Sequence, residues 1–186
     1  MGKKRCFIAV NFPQWLKDDL NNIINQLKKI NHREDINWVK SENCHLTLHF
    51  LGYIDERQIE ETKKVLSFIL SVSSPTNLFL DNFDYFPSLS RPRVFFISLK
   101  EKGNSLSSIQ SKLGLNLEKI GIRIEERPWH MHLTLARLKI PRPLKIIPFD
   151  FSKVKPVPVK SIELMESHLS PFGARYSIIQ SFPINH

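Results

Sequence analysis

The chain reads as one α+β folding unit, and three observations predict this. Helix-period and strand-period apolar patterns interleave from end to end. No Gly/Ser-rich linker or low-complexity tract divides them. The length, 186 residues, suffices for one core, or for two small lobes sharing a core, but not for two ordinary independent domains.

Taken in order, residues 4–10 (KRCFIAV) predict a strand. Residues 14–30 carry Leu16, Leu20, Ile23, Ile24, Leu27 and Ile30 at spacings of three and four, an amphipathic helix entered just after Pro13. Residues 36–39 and 45–51 alternate as two strands, the second ending at Gly52. Helical spacing returns over 56–70 through Ile59, Thr62, Leu66 and Ile69, and two strands follow over 76–85 and 93–99. A third helix is expected over 104–120, a strand over 130–138, and final strands over 158–167 and 174–181. The proline-rich stretch 141–158 disfavours helix and central strand alike and is expected to run over the surface.

Composition narrows the function classes. With 41% hydrophobic and 24% charged residues, and no long apolar run, the chain has the make-up of a soluble protein and nothing to insert in a bilayer. The start, MGKKRCFIAVNF, lacks a small-residue cleavage site and reads as a first strand. Cys6 and Cys44 lack CxxC spacing, and the expectation is reduced thiols in the cytoplasm. A balance of 27 Lys+Arg against 18 Asp+Glu, formally +9, favours a polyanionic partner, because a positive field concentrates phosphate-bearing ligands.

The central observation is a repeat. His45-Leu46-Thr47-Leu48 recurs as His132-Leu133-Thr134-Leu135. Each copy lies in an expected strand, whose period of two sets the histidine and threonine on one face and the leucines on the other. Each copy thus offers an imidazole and a hydroxyl from a leucine-anchored mount. One such tetrapeptide would be an ordinary strand; two at matching points of two halves point to shared chemistry.

With RCFIAVNFP, INWVKSENCHLTLHFLG, RPRVFFISL and RPWHMHLTLARL in this order, nearly the whole chain resembles the 2H phosphoesterases, defined by two H-x-[TS]-x motifs. Within them it is similar to the RNA 2',3'-cyclic phosphodiesterases, which also catalyse 2'-5' RNA ligation in vitro. The resemblance implies a two-lobed, pseudo-symmetric α+β fold, with antiparallel sheets lining a central cleft and helices outside. It implies a partner, RNA with 2',3'-cyclic phosphate ends, tRNA halves among them. No cofactor and no metal are implied, and a monomer is the expectation.

Opening a cyclic phosphodiester requires one proton taken from water and one given to the departing ribose oxygen. Two histidines, titrating near neutrality, suit both tasks without a metal. Thr47 and Thr134 hydroxyls are placed to donate to the non-bridging oxygens as charge grows there. By resemblance His45 is the acid that protonates O3' and His132 the base that activates water, although the two motifs read identically. Arg137 corresponds to an arginine associated with the family's phosphate site. Strict strand parity sets it on the leucine face, so that role requires a bulge or a strand end.

His49 and His130 share the expected face of the motif histidines and are candidates to line the cleft, though such histidines are more often hydrogen-bonded spectators. His168 and His186 have no repeat partner. Trp38, Phe50, Trp129 and Tyr176 are candidates for base stacking, with core packing as the ordinary alternative; Arg91 and Arg93 are candidates for RNA phosphates. Two rival classes stand. One is a metal hydrolase using His130, His132 or Cys44, for which no third ligand with known spacing is found, Glu125 and Glu126 included. The other is a non-catalytic single-stranded RNA-binding protein, which would need no duplicated His-x-Thr pair.

Overall fold

The computed structural model describes residues 2–170 and 173–184; His186 lies outside them. Among the described residues, nine strands and three α-helices follow one another as β1 (Lys4–Asn11), α1 (Gln14–Ile30), β2 (Ile36–Trp38), β3 (His45–Ile54), α2 (Glu56–Leu70), β4 (Thr76–Phe86), β5 (Val94–Glu101), α3 (Ser105–Lys119), β6 (His132–Leu138), β7 (Val157–Val159), β8 (Ser161–Ser170) and β9 (Gly173–Pro183). They form two antiparallel sheets, ordered β3-β1-β8-β9 and β2-β6-β5-β4-β7.

Each motif strand is built by the same unit. A strand (β1 or β5) leads into a helix (α1 or α3), and the chain returns antiparallel beside the first strand as β3 or β6. The helices form for reasons visible in their residues. In α1, Leu16, Leu20, Ile23, Ile24 and Leu27 make one buried stripe. The α2 start is fastened by a capping box, in which the Asp55 carboxylate accepts from the Gln58 amide and the Gln58 side chain accepts from the Asp55 amide. At α3 the Glu101 carboxylate accepts from the Leu106 and Ser107 amides, supplying a negative charge to the exposed donors of the first turn. These stripes and the leucine faces of both motif strands join in one core.

The sheets exchange strands. β2, from the first half, pairs with β6, and the C-terminal hairpin β8-β9 completes the sheet of β1 and β3. The strand expected over 158–167 is therefore two strands: β7 lies on the edge of one sheet beside β4, and the chain passes at Lys160 to β8 in the other. Pro158, without an amide hydrogen, sits on that edge strand. The rest of the proline-rich stretch is irregular apart from one 3₁₀ turn at Phe151–Lys153, and it is pinned: Asn31 bonds the Lys145 amide and carbonyl, and Arg33 donates to the carbonyls of Arg142 and Pro143.

Two further boundaries differ from expectation. β3 continues through Gly52 to Ile54, because Gly52 adopts φ 68° at a register slip opposite Cys6 and Phe7, a left-handed conformation that glycine takes without penalty. β6 begins at His132, not at residue 130.

Candidate active site

Both motifs are mounted with a register slip at their final leucine. Ala9 pairs with Thr47 but Ile8 with His49, so Leu48 is the extra residue; Phe96 pairs with Thr134 but Phe95 with Ala136, so Leu135 is extra. A bulge reverses the faces taken by every side chain beyond it. Leu48 and His49 are consequently both buried, while Phe50 turns outward at 49% exposed. Leu135 and Ala136 are likewise both buried, and Arg137 comes round to the face of His132 and Thr134.

His49 therefore does not line the cleft. Its Nε2–H donates to the Gln110 carbonyl at 2.8 Å, beside Gly114 of α3, where a Cβ would stand 3.2 Å from the His49 ring.

His45, Thr47, His132, Thr134 and Arg137 line one cleft of about 410 Å³, together with Phe7, Phe50 and Tyr176. A larger hollow of about 640 Å³ lies on the outside, between Trp15 of α1 and Phe149 and Lys155. It holds no histidine, so the chemistry selects the smaller space.

The two imidazoles are held alike. His45 Nδ1 lies 2.7 Å from the Asn43 carbonyl and His132 Nδ1 lies 2.8 Å from the His130 carbonyl, each two residues upstream. A carbonyl only accepts, so each Nδ1 carries the hydrogen and Nε2 is the nitrogen left to exchange protons with a ligand. Each ring is also set between two aromatic side chains. His45 meets Phe7 at 5.0 Å and Tyr176 at 5.1 Å between centroids; His132 meets Phe86 at 5.0 Å and Phe96 at 5.3 Å.

These surroundings disfavour charge. Burial pushes His45 down to about 4, opposed by the Asn43 carbonyl and helped by His132 when that ring is charged and by the positive fields of Lys17 and Arg137. Burial likewise lowers His132, with Arg137 and His130 adding and the His130 carbonyl opposing. Both rings are thus neutral at neutral pH in this cleft, whose described lining contains two arginines and no carboxylate. An entering anion would meet little repulsion.

The other candidates take different places. Trp129 donates from Nε1 to the Thr47 carbonyl at 2.9 Å, bracing the motif strand from outside the cleft. Trp38 packs half-buried against the core. Arg93 donates to the Lys139 carbonyl, and His168 lies 3.3 Å from a Glu166 oxygen on an exposed surface. Of the aromatic candidates, Phe50 and Tyr176 reach the cleft. Cys44 touches it with a buried thiol pushed up to about 12 by burial, which leaves it protonated and unreactive at neutral pH. Among the described residues, no three His, Cys, Asp or Glu side chains are grouped to hold a metal ion, and no helix is long and apolar enough to cross a membrane.

Residue-by-residue reading passed over Asn43, Phe7 and Arg5. The alternation of Arg5, Phe7 and Ala9 against core Cys6, Ile8 and Val10 was available as a signal. That this face is the concave one was not.

The two halves each match the family model described as LigT like phosphoesterase, over residues 10–96 and 97–176. The chain belongs to the LigT-like phosphoesterases. Each matched half contains one motif histidine. Among relatives of this LigT-like chain, a Methanocaldococcus jannaschii protein named RNA 2',3'-cyclic phosphodiesterase is 30% identical over 183 residues, 96% of this chain and 99% of that one. A Thermotoga maritima protein of the same name is 31% identical over 179 residues, 94% and 92% of the two chains. A crystal structure of a Thermus thermophilus protein superposes with a TM-score of 0.81 at 26% identity, covering 97% of each chain. Escherichia coli LigT in complex with 3'-AMP gives 0.82 at 22% identity over 99% of each, a likeness of fold. The two curled sheets and three helices are this two-lobed LigT-like fold.

Proposed function

We propose that this chain opens 2',3'-cyclic phosphate ends of RNA to 2'-phosphomonoesters, by general acid–base catalysis with His45 and His132 and without a metal. The observation that carries the reading is the matched tethering of the two imidazoles, each by Nδ1–H to a carbonyl two residues upstream, in one cleft whose described lining has no carboxylate. The names of the M. jannaschii and T. maritima relatives support the substrate class.

The phosphate sits between the Thr47 and Thr134 hydroxyls, with Arg137 facing its charge. His132 Nε2 takes a proton from water as the water oxygen bonds to phosphorus; the P–O3' bond breaks, and His45 Nε2–H gives its proton to O3'. Each transfer contributes ~10²–10⁴-fold, and donors aimed at the non-bridging oxygens stabilise the five-coordinate state. The substrate anion beside both buried rings opposes the effect of burial and favours one imidazolium, so binding helps to charge the acid. A ribose 5'-hydroxyl in the place of water would leave a 2'-5' linkage by the same bond changes, which accommodates ligation. The reading extends to tRNA halves as substrates and to a monomer acting in the cytoplasm.

The test is incubation with a 2',3'-cyclic nucleotide in excess chelator, followed by identification of the product. Turnover to the 2'-phosphate is expected. A 3'-phosphate product would overturn the assigned regiochemistry, and activity lost to chelator and restored by zinc would overturn the metal-free mechanism.

A further inference from the structure

We infer that Arg5 forms a second anion subsite, which holds the phosphate on the 5' side of the terminal nucleoside while the cyclic phosphate lies between the motif histidines. This rests on the proposed cyclic-phosphate chemistry and extends it to what the rest of the substrate must carry.

Arg5 lines the cleft with Phe7, two residues further along the same face of β1, a step of about 7 Å. Phe7 in turn lies against His45, at 5.0 Å between ring centroids. Arg5 is thus separated from the reacting end by one aromatic side chain, and Phe7, Phe50 and Tyr176 supply the apolar floor between them. A nucleoside spanning that floor brings its 5' oxygen toward Arg5.

The guanidinium is oriented but not neutralised. Its Nη1 donates to Ser167 Oγ at 2.9 Å, and Ser167 is itself buried in the neighbouring strand β8. Among the described residues no carboxylate lies within ion-pair distance of Arg5, nor does any line the cleft; the nearby Glu166 is taken up by Lys4 and His168. A hydroxyl fixes the planar fork without cancelling its charge, leaving Nη2 and Nε to donate to a phosphate. Arg137 is the other guanidinium of the cleft lining and belongs to the motif strand, so the two mark separate positions along one ligand.

The experiment compares kcat/KM for a nucleoside 2',3'-cyclic phosphate bearing a free 5'-hydroxyl with that for the same compound bearing a 5'-phosphate, and for a dinucleotide ending in a cyclic phosphate. The wild-type protein should favour both phosphate-bearing substrates by about tenfold or more, and the advantage should shrink as salt is raised. In Arg5→Gln the ratio should fall toward one, whatever the absolute rates, and Arg5→Lys should keep part of it. Equal rates on all substrates with the wild-type protein would overturn the subsite without reference to any variant. So would a ratio unchanged in Arg5→Gln, or an Arg5-dependent preference that follows the base and ignores the 5'-phosphate. A wild-type protein that opens none of the substrates would overturn the underlying reading, and the subsite with it.

Discussion

Phe50 and Arg137 occupy equivalent positions in the two halves. Each is the fifth residue after a motif histidine, and each reaches the cleft because a bulged leucine, Leu48 or Leu135, reverses strand parity just before it. One repeated backbone device therefore presents a stacking surface on one side and a cation on the other. That asymmetry distinguishes two otherwise matched motifs and suits a ligand with a base at one end and a phosphate at the other.

Exchanging the cation tests this division. Arg137→Gln should lower kcat/KM by about 10²–10³, as expected for loss of a donor to the developing phosphorane charge. Arg137→Lys should recover only part of it, since an ammonium lacks the fork. Phe50→Ala should instead act mainly on KM, raising it about tenfold, the scale of one lost base-stacking contact. Steady-state kinetics on a purine 2',3'-cyclic phosphate separates the two patterns.

His45→Ala and His132→Ala should each reduce opening of a 2',3'-cyclic nucleotide by about 10²–10⁴-fold, with far-ultraviolet circular dichroism unchanged. Because one transfer is of little use without the other, the double variant should be hardly slower than the worse single one. Substantial turnover by either single variant would remove that histidine from the mechanism.

The pH dependence follows from burial. Both motif histidines sit below the ordinary value of 6.5, His45 at about 4. The kcat/KM profile reports the free protein, so the limb that falls as pH rises should lie below 6.5. Stability carries the same sign. The unfolded chain takes up the His45 proton first as pH falls, so stability is complete above about 6.5 and declines toward pH 4. Denaturant melts of His45→Asn should show a shallower decline over that window. An unchanged slope would mean that the ring is not held neutral by the fold.

A stability prediction away from the cleft concerns the α2 capping box. Asp55→Ala removes the acceptor for the Gln58 amide and should cost about 1 kcal/mol, a fall in Tm of roughly 2–4 °C for a chain of this size. kcat/KM should not change. A thermal melt beside the kinetic assay checks both.

Much of this was legible in the chain itself. The apolar stripe of α1 from Leu16 to Leu27 is local information, set by a period of 3.6 residues, and it is the stripe that is buried. The strand content of both HLTL copies is equally local, and their identity was enough to single out His45, Thr47, His132 and Thr134. The faces of His49 and Arg137 were not legible, because parity counting assumes an unbroken ladder. Whether a strand bulges depends on its partner: β1 and β5 run past the motif strands one residue short.

By itself, then, the sequence determined most of the elements, the buried stripes of the helices and the two repeated His-Thr pairs, because helix and strand periods are properties of neighbouring residues. Only the tertiary structure decided that β8 and β9 complete the sheet of β1 and β3, that Arg137 and Phe50 turn into the cleft, and that Arg5 lies beyond Phe7 with a hydroxyl for company. Those outcomes depend on pairing between segments up to 162 positions apart, where register and burial are settled by the whole core.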